Sequence, residues 1–183
     1  MARRKAEWGG RRKGAGRPAE LVDPVRRWVL IERSDLEAAL RLARKRGLSF
    51  SAIVRKALHA HGGYEVELQG DGFLLAFSSA RRAVECAIAI QRSFVERNER
   101  AEEKIEVRAG LHTGEAIQDD GDFYGKHVNL AARIASQARG GQIFASSLLK
   151  ELTDSGGDIQ FDGGTEVELK GLTGTQRIYA IGW

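Results

Sequence analysis

Residues 64–77 read YEVELQGDGFLLAF, and the fold turns on this stretch. Tyr64–Leu68 and Phe73–Phe77 are two short strands split by Gly70-Asp71-Gly72. An Asp-Gly step between two apolar runs is the strongest short-range hairpin signal a sequence offers. Glycine on either side of Asp71 lets another backbone, a phosphate or a hydrated cation come close to its carboxylate. Spacing alone leaves two readings of Asp71 open, a plain turn residue or a metal ligand.

Outward from the hairpin, helical periodicity takes over. Upstream, Ile53, Val54, Ala57 and Leu58 mark the inner face of a helix that starts at Ser49 or Ser51 and stops at Gly62-Gly63. Before it comes a short apolar strand, Trp28 to Ile31. Ser34 with Glu37 three residues later then forms a capping box that opens a helix faced by Leu36, Ala39, Leu40 and Ala43. Downstream, a helix from Ser79 to about Arg97 buries Ala83, Cys86, Ala87, Ile90 and Phe94. A strand over Ile105–Thr113, a polar loop from Asp119 to Asp122, and a helix over Val128–Ala138 follow. Gln142–Ala145 is a strand, Ser146–Leu152 a short helix, and residues 159–182 two or three strands with glycine turns. This mixture predicts an α+β sandwich with one helical face on a largely antiparallel sheet.

The chain has 183 residues, 42% of them hydrophobic, which suits one domain with a real core or one domain plus an appendage. No apolar run approaches the ~18 residues that cross a bilayer, and no apolar stretch follows the charged first residues. With the lone Cys86 excluding an internal disulfide, a cytoplasmic protein with no membrane partner is expected. Charge is uneven: residues 1–60 hold 16 Lys and Arg against 6 Asp and Glu, and residues 61–183 hold 13 against 19. Residues 1–22 are basic, glycine-rich and nearly without apolar side chains, so a disordered arm is expected there. A strand–helix–helix segment over 23–60 and a main domain over 61–183 complete the expected organisation. A basic head of this kind either grips nucleic acid or is a solvated tail.

Three further motifs bear polar groups. Residues 108–115, RAGLHTGE, run from a strand into a glycine turn, and residues 122–133, DFYGKHVNLAAR, lead a loop into a helix. In the second, Asn129 and Arg133 stand four apart on one helical face. An amide beside a guanidinium holds ribose and phosphate oxygens; an exposed helix face is the plainer reading. Lys170, in Glu168-Leu-Lys-Gly-Leu172, sits between a strand and a glycine turn, a weak signal alone. His112 and His127 read as structural, neither having a partner at metal-ligand or triad spacing.

Together, HGGYEVELQGDGFLLAF, VRAGLHTGEA, DFYGKHVNLAARI, GGQIFASS and ELKGLTGTQRIYAI resemble the class III adenylate and guanylate cyclase homology domain. The resemblance runs from Leu58 to about Ile181 and implies a ferredoxin-like fold. It implies head-to-tail homodimers with the site between subunits, a nucleoside triphosphate substrate, and two Mg2+ or Mn2+ ions. Attack of the ribose 3′-hydroxyl on the α-phosphate would expel pyrophosphate. By the same resemblance Asp71 is a metal-binding aspartate, Asn129 orients the ribose, and Arg133 stabilises charge on the α-phosphate. Lys170 holds the outer phosphates, and Glu67 and Asp122 occupy the two base-reading positions.

The chain departs from the family at its beginning. Where the family carries its other metal-binding aspartate, at the end of the first strand, this chain has Arg33; Asp35 and, less well, Asp23 are the aspartates that could partly replace it. Residues 27–60 therefore read either as a worn cyclase beginning or, with the basic arm, as resembling a ribbon-helix-helix DNA-binding module. Neither strand face offers a run of polar groups to read base edges, so DNA contact through residues 1–60 would be nonspecific, to phosphates. Loss of the aspartate implies weak turnover or nucleotide sensing without it. Glu67 resembles the guanylate type and Asp122 the adenylate type, which leaves ATP and GTP open, ATP favoured.

Overall fold

The computed structural model describes residues 26–33, 50–69, 72–114, 117–119 and 122–183. The expected arm over 1–22, the helix opening at Ser34, and Asp71 itself lie outside the described residues. Strand β1 spans Arg26–Arg33, followed by helix α1 (Phe50–Ala60), β2 (Tyr64–Gln69), β3 (Gly72–Phe77) and α2 (Ala80–Glu99). Then come β4 (Val107–Gly114), β5 (Ile117–Asp119), β6 (Asp122–Tyr124), α3 (Lys126–Ala135), β7 (Ile143–Ser146) and α4 (Ser147–Thr153). A 3-10 turn over Asp154–Gly156 leads to β8 (Gln160–Phe161), β9 (Thr165–Glu168) and β10 (Thr175–Gly182).

Eight strands form one sheet in the order β2-β3-β1-β4-β7-β10-β8, with β9 also paired to β10. Among the described strands of this sheet only β4 and β7 run parallel; the other pairs are antiparallel, as expected. The unbroken apolar run of β3 has a simple cause: β3 lies between β2 and β1, and all six of its residues are buried. β1 is likewise internal, pairing along one edge with β3 and along the other with β4. Both its edges are used within the chain, so it has none to offer a partner strand. The paired-strand arrangement of a ribbon-helix-helix dimer would require β1 to leave this sheet.

The main core lies between one sheet face and helices α1, α2 and α4. Val29, Ile31, Phe73, Leu75, Leu111 and Ala145 meet Ile53, Val54, Val84, Ile90 and Leu149 there, and all are buried. Phe50 at the head of α1 tilts against Phe73 and Phe94, with ring centroids 5.5 and 5.6 Å apart. Each such ring taken from water contributes about 1.5–3 kcal/mol. Cys86 is in this core as expected, its thiol pushed up to about 12 by burial. The serines preceding α2 and α4 start those helices: Ser79 accepts from the Arg82 N–H and Ser146 from the Leu149 N–H.

Two features differ from the sequence reading. Helix α3 does not join the others; its Ala131 and Ala135 pack on Leu74 and Ala76, on the opposite face of the sheet. Helices therefore cover both faces, and Ala131 and Ala135 are the small residues that let α3 sit close against the sheet. The expected polar loop from Asp119 to Asp122 is the turn of a short hairpin, β5 paired with β6 in the register Asp119↔Asp122.

Candidate functional site

The α3 side of the sheet carries most of the residues singled out by the sequence. The helix lies so close to β4 that a Cβ on Gly110 would fall 2.2 Å from the Ala135 amide nitrogen and 2.6 Å from the Ala131 carbonyl. With Leu130, Ala131, Ile134 and Ala135 buried, Asn129 and Arg133 are left on the exposed side, one turn apart. No side-chain hydrogen bond or ion pair ties either to another described residue.

The first turn of α3 is fixed in an unusual way. Its N-cap is Gly125, at φ 140°, and no side chain caps the helix. Instead the His127 ring lies over Gly114, where a Cβ would come within 2.3 Å of it. His127 Nδ1 is 2.8 Å from His112 Nε2, and His112 Nδ1 is 2.7 Å from Ser146 Oγ. Subtracting two ring radii from the 5.1 Å centroid separation leaves little more than that nitrogen–nitrogen distance, so the rings meet edge to edge. Burial of His112, with His127 adding, pulls its pKa down to about 4. A neutral His112 lets the rings share one N–H, donated by one and accepted by the other. The two histidines read as structural are each other's partner, across fifteen residues that no spacing rule connects.

Lys170 is exposed on the loop between β9 and β10, and the residue before it anchors that loop. Leu169 is buried with Leu130 and Ile134 of α3 and Ile178 of β10. One apolar cluster thus fastens the lysine loop to the helix that carries Asn129 and Arg133. Gly171, at φ 82°, lets the chain turn directly after the lysine.

Glu67 reaches the same side through a break in the pattern. Strict alternation would put Glu65 and Glu67 on one face, but the β2–β3 register shifts between them, pairing Glu65 with Leu75 and Glu67 with Leu74. Leu75 belongs to the main core and Leu74 to the α3 side. Glu65 accordingly turns toward α1, where its carboxylate takes two hydrogen bonds from Arg55 at 2.7 and 2.8 Å, and is held below its usual range. The bulged Val66 packs with Leu74 and Ala76, and Glu67 lies on that side, exposed. Strand β6, which begins at Asp122, touches β2 and so brings Asp122 to the same neighbourhood.

The end of β1 arrives at the turn between β2 and β3. Glu32 pairs with Gly72, directly after Asp71, and Arg33 pairs with Val107. β1 thus ends beside the start of β3, next in sequence to Asp71. Among the described residues no group of three or more His, Cys, Asp or Glu is placed to hold a metal ion. Glu67, Asn129 and Arg133 therefore lie on the α3 side of the sheet, and the loop that carries Lys170 is fastened to the same helix.

Residues 48–182 match the sequence profile of the adenylate and guanylate cyclase catalytic domain. An uncharacterised Mycobacterium tuberculosis protein is 36% identical over 103 residues, 56% of this chain and 26% of that one. A Rhizobium meliloti protein provisionally named adenylate cyclase 3 is 35% identical over 114 residues, 61% of this chain and 19% of its own length. The chain spans about a quarter of such relatives. Among solved structures, an adenylate/guanylate cyclase/hydrolase from Silicibacter pomeroyi superposes with a TM-score of 0.77 at 25% identity. That match covers 86% of this chain and 95% of that one. The guanylyl cyclase Cya2 superposes with a TM-score of 0.68 at 28% identity, covering 85% and 92%. With a profile match over residues 48–182 and these superpositions, the chain belongs to the adenylate and guanylate cyclase catalytic domain family.

Proposed function

We propose that this domain works as a homodimer that binds ATP, or GTP, with Mg2+ or Mn2+, and converts it weakly to the 3′,5′-cyclic nucleotide and pyrophosphate. The observation that supports the reading is the exposure of Glu67, Asn129 and Arg133 on the α3 side of the sheet, beside the loop that carries Lys170. Two of those elements, α3 and the Lys170 loop, are fastened by one apolar cluster.

In the reaction the ribose 3′-oxygen bonds to the α-phosphorus, the bond from that phosphorus to the bridging oxygen breaks, and the hydroxyl proton passes to solvent. Arg133 meets the charge that grows on the α-phosphate in this reading, its fork of permanent donors suiting oxygens in a plane. Asn129, one turn earlier, holds the ribose so that its hydroxyl lies in line. Lys170 neutralises the outer phosphates as they leave, and Glu67 with Asp122 accepts hydrogen bonds from the base. A divalent cation held by Asp71 and the phosphates would supply charge that acidifies the hydroxyl. Arg33, at the position of a second metal aspartate, is the reason to expect weak turnover.

Incubation with MnATP and with MnGTP, beside Asp71→Ala, tests this. Cyclic product is expected, ATP ahead of GTP, and a loss of about 10²–10³ in rate for the variant. Absence of both product and any nucleotide-dependent rise in melting temperature would remove the reading. A second reading rests on the charge of residues 1–60, which would grip DNA phosphates nonspecifically while the domain senses nucleotide. Mobility shifts at two salt concentrations, with and without those residues, separate the two; binding unchanged by truncation ends this one.

A further inference from the structure

The histidine pair lies apart from every group assigned to the reaction, yet it holds the helix from which two of them project. His112 is a buried residue on β4, hydrogen-bonded on both ring nitrogens, one side to Ser146 and the other to His127. Ser146 is itself fixed, since its hydroxyl accepts from the Leu149 N–H at the start of α4. The string therefore runs from the head of one helix, through a buried strand, to the head of another. At its far end α3 has a glycine N-cap without a side-chain hydrogen bond. Its first turn is thus held sideways by His127 rather than capped along the axis.

We propose that His127, anchored by His112, is a positioning residue of the cyclase site, setting the placement of Asn129 and Arg133. The inference rests on the cyclase reading. His127 stands two residues before Asn129 and six before Arg133, in the same short helix. Below it Gly114 leaves room for the ring, and at the other end Gly110 leaves room for the backbone of Ala135. The helix is therefore pinned at two points against β4, one by close packing and one by a hydrogen bond. Neutral His112 keeps the second intact, because two protonated rings would present donors to each other and repel. Release of that pin leaves the packed end in place and lets the first turn swing. Asn129, close to the swinging end, is displaced more than Arg133. Displacement of a positioning group by about 1 Å costs on the order of 10²-fold in rate.

The test compares full-length wild type with His127→Phe, His127→Leu and His127→Asn. Phenylalanine keeps a flat ring above Gly114 without a nitrogen, leucine keeps apolar bulk, and asparagine returns an amide near the position of Nδ1. Each is assayed for kcat and KM with MnATP, for melting temperature, and for histidine ring nitrogens by NMR. The expected result is a kcat lower by about 10–100-fold in the Phe and Leu variants, with KM little changed. Asparagine recovers most of the loss, and the bonded-nitrogen signal of His112 toward His127 disappears only where kcat falls. A Phe or Leu variant that melts with wild type and turns over equally fast overturns the inference, as does a lower melting temperature with unchanged kcat. Wild type with neither product nor nucleotide-dependent stabilisation sinks the cyclase reading and this one with it. An active wild type with indifferent variants sinks this one alone.

Discussion

His112 titrates at 6.5 in an ordinary setting and at about 4 in the fold, so between those values the unfolded chain takes up a proton that the folded chain refuses. Stability from this group is intact above about pH 6.5 and is lost as pH falls toward 4, because protonation pulls the equilibrium to the unfolded side. Between pH 7.5 and pH 5 the loss amounts to about 2 kcal/mol. Urea unfolding at the two pH values measures it, and His112→Gln should flatten the difference; an equal slope in both proteins would contradict the assignment. The carboxylates held low by guanidinium partners, Glu65 and Asp158, respond only at more acidic pH, and their exposure to solvent keeps the effect small. From the sequence His112 was legible only as a structural histidine. What it bonds to depends on α3 lying on the far face of the sheet, which periodicity does not state.

At the scale of elements, the seat of α3 on β4 is where packing reaches the proposed chemistry. Gly110→Ala places a methyl against the backbone of Ala135 rather than against a side chain that could turn aside. Overpacking of this kind costs about 1–3 kcal/mol, and each kcal/mol lowers the melting temperature of a domain this size by roughly 2–4 °C. Helix α3 must also lift, so cyclase activity should fall further than the melting temperature alone explains. A thermal melt beside a turnover assay checks both, and a Gly110→Ala protein with native stability would show that the contact yields easily. The hairpin, α1, α2 and the tail strands were all readable in advance, since each is set by local spacing and a glycine or serine boundary. The bulge at Val66 was not. Its signal is the register of β2 against β3, which moves Glu67 to the face opposite Glu65. Nor was the β5–β6 hairpin, whose three-residue strands are too short to carry a period.

The whole molecule raises the question of how many chains make a site. Asp71 belongs by sequence to the stretch between β2 and β3, outside the described residues, whereas Asn129 and Arg133 project from the exposed side of α3 with no described side chain bound to them. In a head-to-tail homodimer, as proposed, each site takes its aspartate from one chain and its amide and guanidinium from the other. Asp71→Ala and Arg133→Ala are then each inactive alone, because every site lacks one member. Mixed in equal amounts, half of the dimers combine the two variants. One of the two sites in such a dimer is whole and the other lacks both residues, so about a quarter of wild-type activity returns. Dilution below the dimer dissociation constant should abolish turnover in wild type and mixture alike, by mass action. Turnover assays of the two variants, singly and mixed, across a range of protein concentration decide the matter. A mixture no more active than its components, alongside wild-type activity that is independent of concentration, would place the site within one chain and require Asp71 to approach Arg133 of its own α3.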